Sequence, residues 1–134
     1  MKSIKEKADL AFSRYVRYSA ATEGGYSRCY TCAAIDKVTN MDCGHYIDRE
    51  VIPLRYSEDN TRIQCRKCNR HNNGEIERYG MFLMLDIGRP RVLEMREIRD
   101  KYIADPSQFE SIDYEQIYKK YSKLGRQIRM KKNF

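Results

Sequence analysis

An α+β fold, mostly helical by residue count, is predicted by three features of the sequence. Hydrophobic residues recur with helical period at both ends of the chain, short β-prone runs broken by turn residues fill the middle, and two cysteine pairs bracket that middle stretch. Residues 1–24 read as an N-terminal amphipathic helix, 25–88 as a cysteine-braced core, and 89–134 as a C-terminal helical region with a basic tail.

Over residues 3–21, Ala8, Ala11, Phe12, Tyr15 and Val16 fall at helical spacing with charges between them, and Gly24-Gly25 ends the pattern. From Tyr26 to Gln64 the character changes. Gly, Thr, Asn, Asp and Pro punctuate the runs Arg28–Tyr30, Met41–Ile47 and Thr61–Gln64, as in hairpins and loops held by side-chain chemistry. After Cys68 the helical period returns, with Asn72 or Asn73 as N-cap and Ile76, Tyr79, Phe82 and Leu83 on one face. Gly88 and Pro90 stop this helix, Val92–Ala104 forms another, and Asp105-Pro106 breaks that one. Tyr114, Ile117, Tyr118, Tyr121, Leu124 and Ile128 stripe the last helix, and these aromatic stripes read as core packing.

A chain of 134 residues fits one domain with one modest core. Mean hydropathy is −0.81, and Trp is absent while Tyr numbers 11, so the interior should be thin and rich in amphipathic rings. A metal staple would support such a fold. No stretch approaches the roughly 18 apolar residues of a membrane span, and MKSIKEKADL lacks a signal peptide's apolar core, so a soluble, cytoplasmic protein without membrane contact is expected. The net charge of +7 gathers at Lys119, Lys120, Lys123, Arg126, Arg129, Lys131 and Lys132, with no acid among residues 119–134. That is a polyanion-binding tail or a solvated helix end. Basicity favours nucleic acid as partner, although ribosomal and membrane-surface proteins share it.

Cys29-Tyr30-Thr31-Cys32 and Cys65-Arg66-Lys67-Cys68 form two CxxC knuckles. Such knuckles set four thiolates at tetrahedral corners, and soft sulfur selects zinc over harder cations, which implies one structural Zn²⁺ per chain. An odd cysteine count and the cytoplasmic character argue against disulfides, and no βαβ pattern supports thioredoxin-like redox chemistry. The fifth, Cys43, reads as a small buried hydrophobe.

Both histidines sit inside or just beyond this segment, in Asp42-Cys43-Gly44-His45-Tyr46-Ile47 and in Cys65-Arg66-Lys67-Cys68-Asn69-Arg70-His71. An acid and histidine ending one strand, a mid-loop asparagine, and a cysteine knuckle followed by an amide at a helix start together resemble the HNH nuclease pattern. In it Asn60 takes the middle asparagine position and Asn69 the last. The spacing is also similar to phage endonuclease VII, a Holliday-junction resolvase whose final zinc cysteine is followed directly by a metal-binding asparagine.

The resemblance to the NinG (Rap) recombination proteins of lambdoid phages is closer and runs to about residue 88. It is carried by Lys7-Ala8-Asp9 through Phe12-Ser13-Arg14-Tyr15, the Cys29–Cys32 knuckle, Met41-Asp42-Cys43-Gly44-His45-Tyr46, Leu54-Arg55-Tyr56 with Asn60, and Gln64-Cys65 through Cys68-Asn69 to Gly74. It implies a zinc-braced ββα-metal (HNH) finger packed with flanking helices, and an endonuclease acting on Holliday junctions and D-loops in phage recombination.

Phosphodiester hydrolysis needs a water made nucleophilic near neutral pH, and an imidazole with a pKa near 6.5 suits that task, so His45 is the candidate general base. A hard divalent cation, Mg²⁺ or Mn²⁺, neutralises charge on the phosphate and leaving oxygen, and oxygen donors hold it. The Asn69 amide and the Asp42 carboxylate are the candidate ligands. Asp42 has a turn-capping role as its alternative, and on an extended strand residues 42 and 44 share a face. His71 is a third candidate ligand, a phosphate contact, or a solvent-exposed helix residue. Asn60 would fix the loop that carries the base.

Arg49, Arg55, Arg62, Arg66, Lys67 and Arg70 flank this centre and suit phosphate gripping, and nothing reads as a helix that recognises base edges. Branched DNA is the expected partner. A homodimer would present two centres to a four-way junction, with the helices after residue 90 as candidate interface, and a phage recombinase is a further candidate partner. Two alternatives stand beside this reading: a non-catalytic zinc-containing nucleic-acid-binding adaptor, and a less selective HNH nicking endonuclease.

Overall fold

The computed structural model describes residues 1–134 as four α-helices around two short antiparallel sheets. Helix α1 (Ile4–Ala20) opens at Ser3, whose hydroxyl accepts the Glu6 N–H at 3.1 Å, and buries Ala8, Ala11, Phe12 and Val16. Helix α4 (Tyr114–Lys131) runs beside it in the same direction. The Tyr121 ring meets Phe12 edge-on at 4.8 Å, Gly125 lies against Tyr15 and Tyr18, and Phe134 meets Tyr18 at 5.1 Å. At the far end Lys132 Nζ donates to the carbonyls of Tyr18, Ser19 and Ala21 at 2.9, 2.9 and 2.7 Å. Those carbonyls lie where a finished helix lacks intrahelical donors and carries partial negative charge, so this lysine of the basic tail is a tie.

Strands β1 (Tyr26–Arg28) and β2 (Ile35–Lys37) form one hairpin. Strands β3 (Met41–His45) and β4 (Thr61–Cys65) form the other, with Met41 opposite Cys65 and His45 opposite Thr61. The expected runs Arg28–Tyr30 and Met41–Ile47 extend past β1 and β3, Thr61–Gln64 ends one residue before β4 does, and β2 lies in no expected run. Tyr30 leaves β1 and donates its N–H to the Ile63 carbonyl at 2.9 Å, while Tyr46 and Ile47 leave β3 because Asn60 takes their amides, one on its carbonyl and one on its side chain.

A single turn of π-helix, Lys67–His71, follows β4 and precedes α2 (Ile76–Ile87). Neither Asn72 nor Asn73 caps α2; Glu75 precedes it in the left-handed region at φ 51°. The knuckle explains the delay: the Cys68 N–H points at Cys65 Sγ, 3.4 Å away, and the chain must unwind from that turn before a helix can start. Gly88, at φ 90°, then reverses direction, and α3 (Arg89–Ala104) begins at once. Pro90 therefore opens α3, in the first turn where a missing N–H has no helical partner to lose.

The interior divides into three clusters where one core was expected. Tyr46, Leu54, Tyr79, Leu83, Val92 and Met95 join α2 and α3 to the loop after β3; Cys29, Val38, Met41, Ile63 and Cys68 surround the knuckles; Phe12, Val16 and Tyr121 join α1 to α4. Tyr79 and Leu83 face inward as the period predicts, whereas Ile76 and Phe82 are exposed. No helix is long and apolar enough to cross a membrane.

Candidate functional site

The Sγ atoms of Cys29, Cys32, Cys65 and Cys68 all lie within 4.8 Å of one another. A tetrahedral zinc with bonds of about 2.3 Å would set its sulfurs roughly 3.8 Å apart, and Cys32 and Cys65 stand at 3.7 Å. The donor set fits, so the cluster can hold a metal ion such as zinc. Burial works to raise the Cys29 thiol, but hydrogen bonds from Thr31 and from the amides of Cys32 and Cys65 outweigh it and bring the thiol down to about 6. The brace joins the β1–β2 turn to the end of β4.

Beside it, a hollow of about 810 Å³ opens between α1 and the β3–β4 hairpin, and Asp42, His45 and Asn69 all line it. His45 ends β3. Its Nε2 lies 2.8 Å from the Arg55 carbonyl, which can only accept, so Nε2 carries the proton and Nδ1 keeps its lone pair. Burial lowers the His45 pKa below 6.5, assisted by the charges of Arg55 and Arg49 and opposed by the bond to the carbonyl. The imidazole is thus neutral at pH 7 with a free basic nitrogen.

Strand alternation puts Cys43 and His45 on one face and Asp42 with Gly44 on the other. Gly44 is required there, because a Cβ would come within 1.9 Å of Gln64 Oε1. Asp42 receives Arg70 through both oxygens, at 2.8 and 2.9 Å, and the Asn69 amide nitrogen at 3.0 Å. Burial would raise its pKa, but those bonds and the guanidinium charge hold it below the usual value. Since a carboxylate only accepts, Asn69 must turn Nδ2 toward Asp42, which leaves its Oδ1 uncommitted.

Asn60 is fully buried, accepting the Ile47 N–H at 2.8 Å and donating to the Ile47 and Leu54 carbonyls at 2.9 and 3.1 Å. It holds both ends of the loop between β3 and β4 and does not line the hollow. His71 is exposed and also lies outside the hollow, which removes it from the expected ligand set. The π turn carries it past the site while bringing Asn69 and Arg70 in.

The expected phosphate contacts separate by exposure. Arg49 lines the hollow and is exposed, Arg66 and Lys67 are exposed, and Arg70 is exposed although paired with Asp42. Arg55 is a correction: its side chain is 3% exposed and clamped to Asp9 at 2.9 and 2.7 Å, so it cannot reach a phosphate. Arg62 lies over the Tyr30 ring and donates to the Glu58 and Thr61 carbonyls, away from the hollow.

Asp9 had no role assigned from sequence. It also accepts the Tyr56 hydroxyl at 2.7 Å, so α1 grips the segment whose carbonyl orients His45. Glu6, Asp9 and Ser13, at helical spacing along one flank of α1, all line the hollow, and that polar stripe was the available signal. Cys43 lines the hollow as well, and burial pushes its thiol up to about 12, which fits an inert packing residue.

Residues 1–130 match the family described as Bacteriophage Lambda NinG protein. The chain is similar to protein ninG of Escherichia phage lambda, 29% identical over 94 residues that cover 68% of this chain and 46% of that protein. It is similar to protein ninG of Escherichia phage 933W, 31% identical over 75 residues covering 55% and 37%, and to protein ninG of Salmonella phage P22, 29% identical over 94 residues covering 68% and 46%. The matched stretch spans less than half of each relative. No solved structure matches.

Proposed function

Because this chain belongs to the Bacteriophage Lambda NinG protein family, we propose that it is a metal-dependent endonuclease of the HNH class that hydrolyses phosphodiester bonds in branched DNA during phage recombination. The observation that carries this reading is the shared hollow: a neutral imidazole with a free Nδ1 and an amide with a free oxygen line one cavity beside the cysteine cluster. The β3–β4 hairpin leading through Asn69 toward α2 is the order of elements that an HNH site needs.

In this mechanism His45 Nδ1 takes a proton from the attacking water while Arg55 fixes the ring through Nε2. Asn60 keeps the loop from shifting, and Arg49 with Lys2, at the hollow's rim, orients the phosphate. Asn69 Oδ1 and Asp42 would hold a Mg²⁺ or Mn²⁺ ion, which when bound supplies charge stabilisation at the phosphate and the leaving oxygen. Two protein oxygens suit Mg²⁺, which keeps several waters. Arg70, exposed but bonded to both Asp42 oxygens, would leave them to the metal by moving onto DNA phosphate. One structural zinc per chain would sit at the four cysteines, and a homodimer would present two centres to a junction.

One observation favours a second reading. With Arg70 and Asn69 occupying the Asp42 oxygens, the protein is also arranged as a zinc-containing adaptor that binds nucleic acid without cutting it. Incubating the protein with a synthetic four-way junction, D-loop, flap and plain duplex, in Mg²⁺, Mn²⁺ or EDTA, separates the two. Metal-dependent scission of the branched substrates, reduced at least about 100-fold in His45→Ala, is expected. Binding without scission under any metal supports the adaptor, and equal cutting of plain duplex supports a less selective nicking enzyme.

A further inference from the structure

Between α1 and α4 lies a second depression, of about 340 Å³, on the flank of α1 opposite the hollow. Lys7 and Arg14 from α1 and Arg126 and Arg129 from α4 line it, together with Ser122 and Tyr118, and no acidic residue does. All four cations are exposed, and none takes part in a salt bridge. Five arginines elsewhere are matched by acids, among them Arg55 by Asp9, Arg70 by Asp42 and Arg91 by Asp59. Arg129 Nε donates to the Phe134 carbonyl at 2.6 Å, and no acidic side chain offsets any of the four; cations gathered at one groove repel one another, and an anionic ligand would relieve that repulsion.

We infer that this groove is a phosphodiester-backbone site for a stretch of DNA other than the one entering the hollow. The dimensions suit the ligand. Lys7 and Arg14 are seven residues apart, about 10 Å along a helix, and Arg129 extends the tract by roughly another turn, to about 16 Å. A stacked DNA strand advances about 3.4 Å per phosphate, so the groove faces four or five of them. Leu10 lines both depressions, so a single helix separates the groove from the hollow. Two backbone tracts divided by one helix would favour DNA in which strands diverge over strands in a lone duplex. The choice of DNA as the anion rests on the proposed function.

The test measures binding, not cutting. A fluorescein-labelled four-way junction is titrated in EDTA across a KCl series with the wild type, with Arg14→Gln/Arg126→Gln, and with Arg99→Gln/Lys101→Gln. The last pair removes the same charge at sites on α3 already matched by Asp100 and Glu97. The groove variant should bind at least tenfold more weakly, with a salt slope shallower by about two, since each lost phosphate contact removes about 0.9. The control should stay within twofold of wild type. Equal behaviour of the two variants overturns the inference, as does tighter binding of polyglutamate than of the junction. Absence of scission in the earlier assay removes the nuclease reading and leaves this result standing.

Discussion

His45 Nε2 donates to the backbone carbonyl of Arg55, 2.8 Å away, and the side chain of that same Arg55 is the buried partner of Asp9 on α1. One residue thus sets the tautomer of the candidate base with its main chain and anchors the loop to the N-terminal helix with its guanidinium.

Asp9→Asn leaves the Arg55 guanidinium buried with no carboxylate nearer than Glu50, at 3.7 Å, and only the Arg49 carbonyl, at 3.2 Å, besides. Breaking a buried pair costs about 3 to 5 kcal/mol, and the partial exposure of Asp9 moves the expected loss to about 3 kcal/mol. Urea unfolding checks this, and a loss under about 0.5 kcal/mol would contradict the anchor. Any scission activity should fall with it, because the carbonyl that aims His45 is released.

The pH dependence has a definite sign. With the folded His45 pKa below 6.5, the unfolded chain binds more protons once the pH falls under that value, so stability declines on acidification from about pH 6.5 until the folded pKa is reached. Asp9 and Asp42, both held below 3.8, contribute nothing in that window, whereas Cys29, brought down to about 6, adds a decline of the same sign that wild type and a His45 variant share. Urea midpoints measured between about pH 7.5 and 5.5 should drop for the wild type and drop less for His45→Gln. A steeper decline in the variant would reverse the assignment.

Asn60→Ala should cost on the order of 3 kcal/mol, because it strands the Ile47 N–H and removes a donor from two carbonyls in a dry site. Calorimetry gives the number directly. A variant melting like the wild type would mean that water replaces the amide.

Gly44→Ala drives a methyl into Gln64, whose amide is pinned to Thr31 Oγ1 at 3.1 Å and the Gly74 carbonyl at 2.9 Å and cannot swing away. Overpacking of this kind costs about 1 to 3 kcal/mol. Adding Gln64→Ala should recover part of the loss, and a double-mutant cycle with coupling below about 0.5 kcal/mol would rule the collision out.

Metal analysis should find one zinc per chain. Stripping it with a chelator, or Cys32→Ser, should abolish the cooperative melt and the near-ultraviolet tyrosine signal, since the cluster joins the β1–β2 turn to β4 and one interior cluster surrounds it. An unchanged melt in the stripped protein would assign stability to side-chain packing alone.

The helices, the cysteine cluster and the burial of Tyr79 and Tyr121 were legible in the sequence because each is written as a spacing, whereas Tyr118 of the same stripe is exposed. The rest depends on partners far away in the chain. Nothing in the neighbourhood of Arg55 shows that Asp9 removes it from the surface, and the isolation of His71 follows from a π turn set by the knuckle geometry. Nothing beside Gly44 in the sequence shows why glycine stands there, and its reason is Gln64 across the sheet. The bracketing of the hollow by His45 and Asn69 was readable as far as their two motifs; the acids that α1 adds to it, and Lys2 just ahead of that helix, were not.

The lysine that closes the end of α1 belongs to residue 132, more than a hundred positions later. Synthesis proceeds from the N-terminus, so α1 emerges more than a hundred residues ahead of the lysine that makes these bonds. Such distant pairing slows folding, and the C-terminal end of α1, away from the wall it gives to the hollow, should be the last part of that helix to become rigid.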